Sequence, residues 1–338
     1  MQTTVFTRDT VADAAALLRA GELVAFPTET VYGLGADATN VTAVKKVYAA
    51  KGRPSDNPLI VTVADIDTVR RFADVTPAAE QLMRKYWPGP LTIILNIIPG
   101  ALDAAVTGGL QTAAFRCPDN AATRELIRLA GNPIVGPSAN LSGKPSPTTA
   151  QHVLHDMDGR IAGILDDGPA RVGVESTVLD MSGNVPAILR PGFVDEEMLT
   201  ADLGAVNTDQ HHVGAKETPK APGMKYKHYA PDAQVVIVDH LADFPAAIEW
   251  ARADGRDFGV LATDQVLAQV PAGVETYSLG RDLASATRDL FAGLRYFDLH
   301  PDVSLVLAQG FDQEGLGAAY MNRINKSAGG EHFPVTES

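Results

Sequence analysis

The chain holds one cysteine in 338 residues. Cys117 therefore has no partner for an internal disulfide and no second thiolate for a cysteine-based zinc site. It follows Ala113-Ala114-Phe115-Arg116 and precedes Pro118, a setting that reads as a buried strand end. Aromatic residues are also scarce, at 6%. No apolar run reaches the roughly 18 residues that a membrane span needs. Asp9 and Asp13 occupy the place where a secretory leader would be basic and then apolar, so a cytoplasmic protein with no membrane partner is expected. Positive charge is in deficit. The formal net charge is −13, divided as −5 over residues 1–200 and −8 over the rest. Such acidity argues against a protein that coats nucleic acid, since non-specific binding depends on neutralising phosphates. The eight histidines show no H-x-x-x-H or similar ligand spacing.

What is present is the alternation of a globular α/β protein, in a chain long enough for two cores. Residues 11–20 read as a helix ended by Gly21, and Leu23 to Phe26 as a short strand running into Pro27-Thr28-Glu29-Thr30. Thr42 to Ala50 reads as a second helix that delivers Lys51. Strands are expected over 59–63, 91–98, 112–115, 134–135, 173–179 and 187–189, with helices at about 77–86 and 121–130. The uneven spacing predicts a mixed, twisted sheet. Periodicity fades over 195–218. Pro222 to Pro231 then gathers aromatic and basic groups between prolines, too many for a passive tether. From Val235 the pattern runs strand 235–238, helix about 244–252, strand 258–262, helix 282–297, strand 304–308 and helix about 316–327, a compact parallel α/β unit.

Several tempting motifs fail on chemistry. Gly33-Leu34-Gly35-Ala36-Asp37-Ala38 has the G-x-G-x-x-A pattern, but Pro27-Thr28-Glu29-Thr30 stands where a direct strand-to-helix turn is needed. A structural turn is expected there. Gly131 to Ser138 has P-loop spacing with Pro137 in place of the lysine, so it lacks the cation that defines that loop. Asp166-Asp167-Gly168 reads as a solvated turn. The stronger signals are polar residues at apolar strand ends, where α/β sheets bind ligands: Thr28 to Thr30, Arg116, Glu175-Ser176-Thr177 and Arg190. Lys51-Gly52-Arg53-Pro54 and Pro137-Ser138-Ala139-Asn140 add cations spaced K-x-R and polar groups spaced S-x-N. Together they suit a polyphosphate held without a Walker loop.

Phe26-Pro27-Thr28-Glu29-Thr30-Val31-Tyr32-Gly33-Leu34-Gly35, Lys51-Gly52-Arg53, Asn57-Pro58-Leu59-Ile60-Val61, Trp87-Pro88-Gly89-Pro90-Leu91-Thr92, Pro137-Ser138-Ala139-Asn140 and Gly173-Val174-Glu175-Ser176-Thr177 follow in this order. Together they resemble the YrdC-like threonylcarbamoyl-AMP synthases, and Pro222 to Pro231 resembles the linker of the long form. The resemblance implies an α/β fold: a YrdC-like twisted mixed sheet with helices over 1–200, a linker or lid over 201–231, and a smaller Rossmann-like parallel α/β domain over 232–338. It implies conversion of L-threonine, bicarbonate and ATP to threonylcarbamoyl-AMP and pyrophosphate, for threonylcarbamoyladenosine on tRNA. Mg²⁺ would be carried by the ATP. By motif position Lys51, Arg53, Asn57, Thr112, Ser138, Asn140, Ser146, Arg190 and Tyr226 would contact ATP, with Lys51 and Arg53 as the catalytic cations. Thr30, Thr62, Arg116, Gly136 and Ser176 would line the threonine site. At Thr62 the family often carries histidine, of which a hydroxyl can replace one hydrogen bond but not the charge.

Expected partners are the three substrates and downstream proteins that transfer the threonylcarbamoyl group to tRNA, with tRNA binding itself weak or transient. Two other classes fit parts of the sequence. One is a module that binds tRNA or double-stranded RNA. The other is a carbamoyl- or acyl-phosphate transferase working from the same pocket.

Overall fold

The computed structural model describes residues 2–208, 219–220 and 228–334. Their contacts divide into two units. The first holds 1–142, 147–171 and the described residues from 175 to 220. The second holds 143–146, 172–174 and the described residues from 228 onward. The expected boundary at residue 200 falls inside the helix Glu196–Leu203, and the two short internal pieces were not anticipated.

The first unit is built on eleven strands: β1 (Thr4–Phe6), β2 (Val24–Phe26), β3 (Gly33–Asp37), β4 (Ile60–Thr62), β5 (Leu91–Asn96), β6 (Thr112–Arg116), β7 (Ile134–Val135), β8 (Gly163–Leu165), β9 (Thr177–Asp180), β10 (Ala187–Arg190) and β11 (Asn207–Thr208). They form one sheet in the order β1-β8-β2-β3-β7-β4-β6-β5-β9-β10-β11. Pairing is mixed. β4/β6 and β5/β9 are parallel, while β2/β3, β4/β7, β5/β6 and β9/β10 are antiparallel. Leu18, Leu126 and Ile127 from the helices Val11–Arg19 and Ala121–Ala130 pack with Phe26 and Ile134 in one core cluster. Val44, Leu82, Met83 and Val153, from three other helices, pack with Leu34, Val61 and Phe115 in a second cluster. Each fully buried aliphatic or aromatic side chain of this kind contributes about 1.5–3 kcal/mol of transfer free energy.

Two local departures from the sequence reading have plain causes. Gly33–Asp37 is strand β3, not a turn. Glycine is normally depleted in strands, but a Cβ on Gly33 would lie 2.5 Å from the Phe26 ring, and one on Gly35 2.8 Å from the Val24 carbonyl. The cross-strand approach leaves no room for a side chain. The strand expected from Gly173 begins only at Thr177, because Gly173 adopts φ +82° and breaks the extended run.

The second unit has four parallel strands, β12 (Gln234–Val238), β13 (Phe258–Ala262), β14 (Glu275–Ser278) and β15 (Leu305–Gln309), in the order β12-β15-β13-β14. The helices Phe244–Asp254, Leu283–Asp298 and Leu316–Ala328 accompany them. Of Leu283, Leu290 and Leu294, whose spacing predicts one apolar face, Leu290 and Leu294 are buried and Leu283 is half-buried. β14 escaped the sequence reading because it is a half-exposed edge strand with little apolar alternation.

Candidate active site

The residues expected to hold threonine lie along neighbouring strands of the first sheet. Parallel pairing of β4 with β6 sets Thr62 beside Arg116. Gly136, just past β7, donates its N–H to the Ile60 carbonyl at 2.8 Å. A Cβ on Gly136 would sit 2.5 Å from Thr62 Oγ1 and 2.9 Å from the Phe26 ring. Between β2 and β3, Thr28 Oγ1 accepts the Thr30 and Val31 N–H groups at 3.1 Å each, curling the loop that presents Thr30. Arg116 Nη1 donates to Thr30 Oγ1 at 2.7 Å, and its Nε donates to the Gly89 carbonyl at 3.3 Å. Farther along the sheet Thr92 Oγ1 and Ser176 Oγ share a hydrogen bond of 2.7 Å. Arg190, at the end of β10, donates from Nε to the Ser176 carbonyl at 3.1 Å and from Nη2 to Ser176 Oγ at 3.2 Å. Arg190, expected on the nucleotide, is thus joined directly to Ser176, expected on threonine.

The K-x-R and S-x-N segments also meet. Asn40 caps the helix Val41–Lys51, and Gly52 closes it at φ 62°. Lys51 is therefore the last helical residue, and it is buried. Its Nζ donates to the carbonyls of Ser138 and Asn140, the latter at 2.7 Å. Arg53 is half-buried and closes its own loop through Nη2 to the carbonyls of Asn57 and Pro58, at 3.3 and 3.1 Å. Asn57 is 1% exposed. Its Oδ1 meets no hydrogen-bond partner among the described residues. Beneath this loop Tyr48 donates from Oη to the Asn57 carbonyl at 3.1 Å, and burial pushes its phenol up to about 12.

Thr112 opens β6, four residues from Arg116, a separation of about 13 Å along a strand. Ser146 is buried in the piece 143–146 that belongs to the second unit, where Arg295 Nε donates to its carbonyl at 3.4 Å. Tyr226, and with it most of the expected lid, lies outside the described residues. At the end of that segment Tyr229 is buried with its ring 5.1 Å from Phe291, both in the second unit.

Glu29 is the partner that residue-by-residue reading undervalued. Its Oε1 lies 2.8 Å from Arg116 Nη2, and its Oε2 accepts the Asp119 N–H at 3.1 Å. The signal was its place inside Pro27-Thr28-Glu29-Thr30. A carboxylate buried just after the apolar run Leu23 to Phe26 needs a cation. Thr92 lies in the motif Trp87 to Thr92 but was given no role, since only strand pairing sets it beside Ser176. Cys117, next to Arg116, is a buried thiol that burial pushes up to about 11.

Known proteins are similar to this chain over both of its halves. The family model described as telomere recombination, Sua5-YciO-YrdC, matches residues 16–192. A second, described as threonylcarbamoyl-AMP synthase, C-terminal domain, matches residues 194–329. The threonylcarbamoyl-AMP synthase of Bacillus subtilis is 49% identical over 95% of this chain and 93% of its own. That of Pyrococcus abyssi is 42% identical over 94% and 93%. The crystal structure of P. abyssi Sua5 complexed with L-threonine matches with a TM-score of 0.92 at 39% identity, covering 99% of this chain and 100% of that one. The two family models span both halves of the chain, and the protein belongs to the YrdC-like threonylcarbamoyl-AMP synthase family in its two-domain form.

Proposed function

We propose that this protein is an L-threonylcarbamoyladenylate synthase, a nucleotidyltransferase that consumes L-threonine, bicarbonate and ATP and releases pyrophosphate. The observation that carries this reading is the row Gly136–Thr62–Arg116–Thr30, continued through Thr92, Ser176 and Arg190. It gathers hydroxyls and two buried guanidinium groups in a chain that resembles a threonine-bound relative over nearly its whole length. Such a row fits a zwitterion with a hydroxyl. Arginine nitrogens suit a carboxylate, and hydroxyls read the amine and the side-chain oxygen. The buried Asn57 Oδ1 is an acceptor suited to a nucleotide N–H or hydroxyl, and it costs about 1–3 kcal/mol while unpaired.

In the proposed chemistry the neutral amine of threonine attacks carbon dioxide derived from bicarbonate, and the amine loses a proton. A carbamate oxygen then attacks the α-phosphorus of ATP. The bond from that phosphorus to the bridging oxygen breaks, and pyrophosphate leaves. The protein's part is to align the two nucleophilic steps and to offset charge on the phosphates. Mg²⁺ would enter with the nucleotide, held mainly by phosphate oxygens and water. The product is a mixed anhydride suited to transferring the threonylcarbamoyl group to tRNA, through further proteins, in the cytoplasm. No helix among the described residues is long and apolar enough to cross a membrane.

Pyrophosphate release from the purified chain tests the reading. It should require threonine and bicarbonate together. Release that proceeds equally with either omitted would point to a carbamoyl- or acyl-phosphate transferase instead.

A further inference from the structure

The loop Pro137 to Ser142 is tied down along its backbone. Leu34 N–H donates to the Pro137 carbonyl at 2.7 Å, and Ala139 N–H donates to the Tyr32 carbonyl at 2.9 Å. Ser142 N–H donates to the Lys51 carbonyl at 2.9 Å. Within it one peptide group, between Asn140 and Leu141, is gripped at both ends by opposite charges. Its carbonyl accepts from Lys51 Nζ at 2.7 Å. Its N–H donates to Asp156 Oδ2 at 3.1 Å. Lys51 is 3% exposed and Asp156 7%. Asp156 comes from the last turn of the helix Ala150–Met157, and its Oδ1 also meets His155 Nδ1 at 3.1 Å.

Charge-assisted hydrogen bonds are the stronger kind, and bonds in series through one peptide polarise each other. The buried ammonium and the buried carboxylate therefore act on the same plane of atoms, whose orientation fixes Asn140 on one side and Leu141 on the other. The Asn140 amide, which donates to the Leu141 carbonyl at 2.7 Å, is set by the same grip. We propose that Asp156 is a positioning residue for nucleotide binding. Across the Asn140–Leu141 peptide it opposes Lys51 and holds the Ser138–Asn140 loop in the geometry that receives ATP. The inference rests on the reading above that this loop contacts the nucleotide, and it assigns Asp156 no contact with substrate.

The test compares full-length Asp156→Asn and Asp156→Ala with Ser138→Ala and the parent chain, measuring KM for ATP, KM for threonine, kcat and thermal midpoint. Asp156→Ala should raise KM for ATP about tenfold, in line with the loss of a bond to a charged group. KM for threonine should stay within about twofold, since the row around Arg116 and Ser176 is built by other elements. Asp156→Asn keeps an acceptor oxygen without the charge and should fall between. If Asp156→Ala does not fold, Asp156→Asn decides alone. An unchanged KM for ATP in a folded variant would overturn the proposal. So would a lower thermal midpoint with both KM values at parental levels, the signature of a purely structural carboxylate. Ser138→Ala separates the two layers. If it raises KM for ATP while the Asp156 variants do not, only this inference fails. If it too leaves KM for ATP unchanged, the nucleotide reading of the loop falls, and this inference with it.

Discussion

Arg116 and Glu29 form an ion pair with Nη2 and Oε1 2.8 Å apart and side-chain exposures of 9% and 4%. Arg116 also donates to Thr30 Oγ1 and the Gly89 carbonyl, and the Glu29 carboxylate lies against the same guanidinium, which is proposed to face the threonine carboxylate. Removing one partner of a buried pair typically costs about 3–5 kcal/mol, because the other charge stays buried alone. Glu29→Ala should lose stability on that scale in denaturant unfolding. Glu29→Gln, which can still bond the Asp119 N–H, should lose less and should show a raised KM for threonine with KM for ATP little changed. Parental threonine affinity in Glu29→Gln would remove Glu29 from the positioning of Arg116.

Lys51 and Arg53 should differ in how they fail. Lys51 holds two carbonyls from inside the protein, so Lys51→Ala should cost about 1.5–3 kcal/mol of stability as well as at least about tenfold in product formation. Arg53 is half-buried and bonds within its own loop. Arg53→Ala should reduce product formation by about tenfold with a smaller change in thermal midpoint. Equal loss of stability in the two variants, with parental turnover in Arg53→Ala, would contradict this division.

Both cations were legible in the sequence as a motif, but their mechanics were not. Periodicity and Gly52 placed Lys51 at a helix end. That its ammonium turns inward to the Ser138 and Asn140 carbonyls depends on a loop some ninety residues later, which local patterning does not reach. The main helices were readable from their apolar period, and the strands β2, β5, β6, β12, β13 and β15 from nearly continuous apolar runs that are buried on both faces. β3 hid because its glycines exist for Phe26 and Val24 across the sheet. β1 hid because two of its three residues are exposed, and β8 because it is a three-residue strand that opens on a glycine. Thr92 and Asp156 likewise acquire meaning only from partners supplied by the fold.

Gly136 should tolerate no side chain while Thr62 is present. A Cβ there would stand 2.5 Å from Thr62 Oγ1 and 2.9 Å from the Phe26 ring. Overpacking of this sort costs about 1–3 kcal/mol, so Gly136→Ala should lower the thermal midpoint and weaken threonine binding. Adding Thr62→Ala removes one of the two clashes and should recover part of the stability, a non-additivity expected only of residues in contact. Strict additivity in the double-mutant cycle would show that the two do not share the site.

Cys117 should be unreactive near neutral pH. Burial is the largest influence and pushes its thiol up to about 11. Since burial disfavours the thiolate, the nucleophilic form is scarce below that value. At about pH 8 it is roughly a hundredfold rarer than for an ordinary thiol. Iodoacetamide labelling of the folded chain should therefore be slow at that pH and rise as the solution approaches pH 11. Labelling as fast as in the unfolded chain would contradict the buried strand-end environment beside Arg116.

The central claim is that threonine, the carbon of bicarbonate and the AMP moiety of ATP are joined in one product by this chain. Mass spectrometry of the reaction with ¹³C-bicarbonate tests it most directly. The account predicts threonylcarbamoyl-AMP heavier by the one labelled carbon, absent when threonine, bicarbonate or ATP is omitted. Pyrophosphate release with no labelled adenylate, or an adenylate of threonine that lacks the labelled carbon, would contradict it.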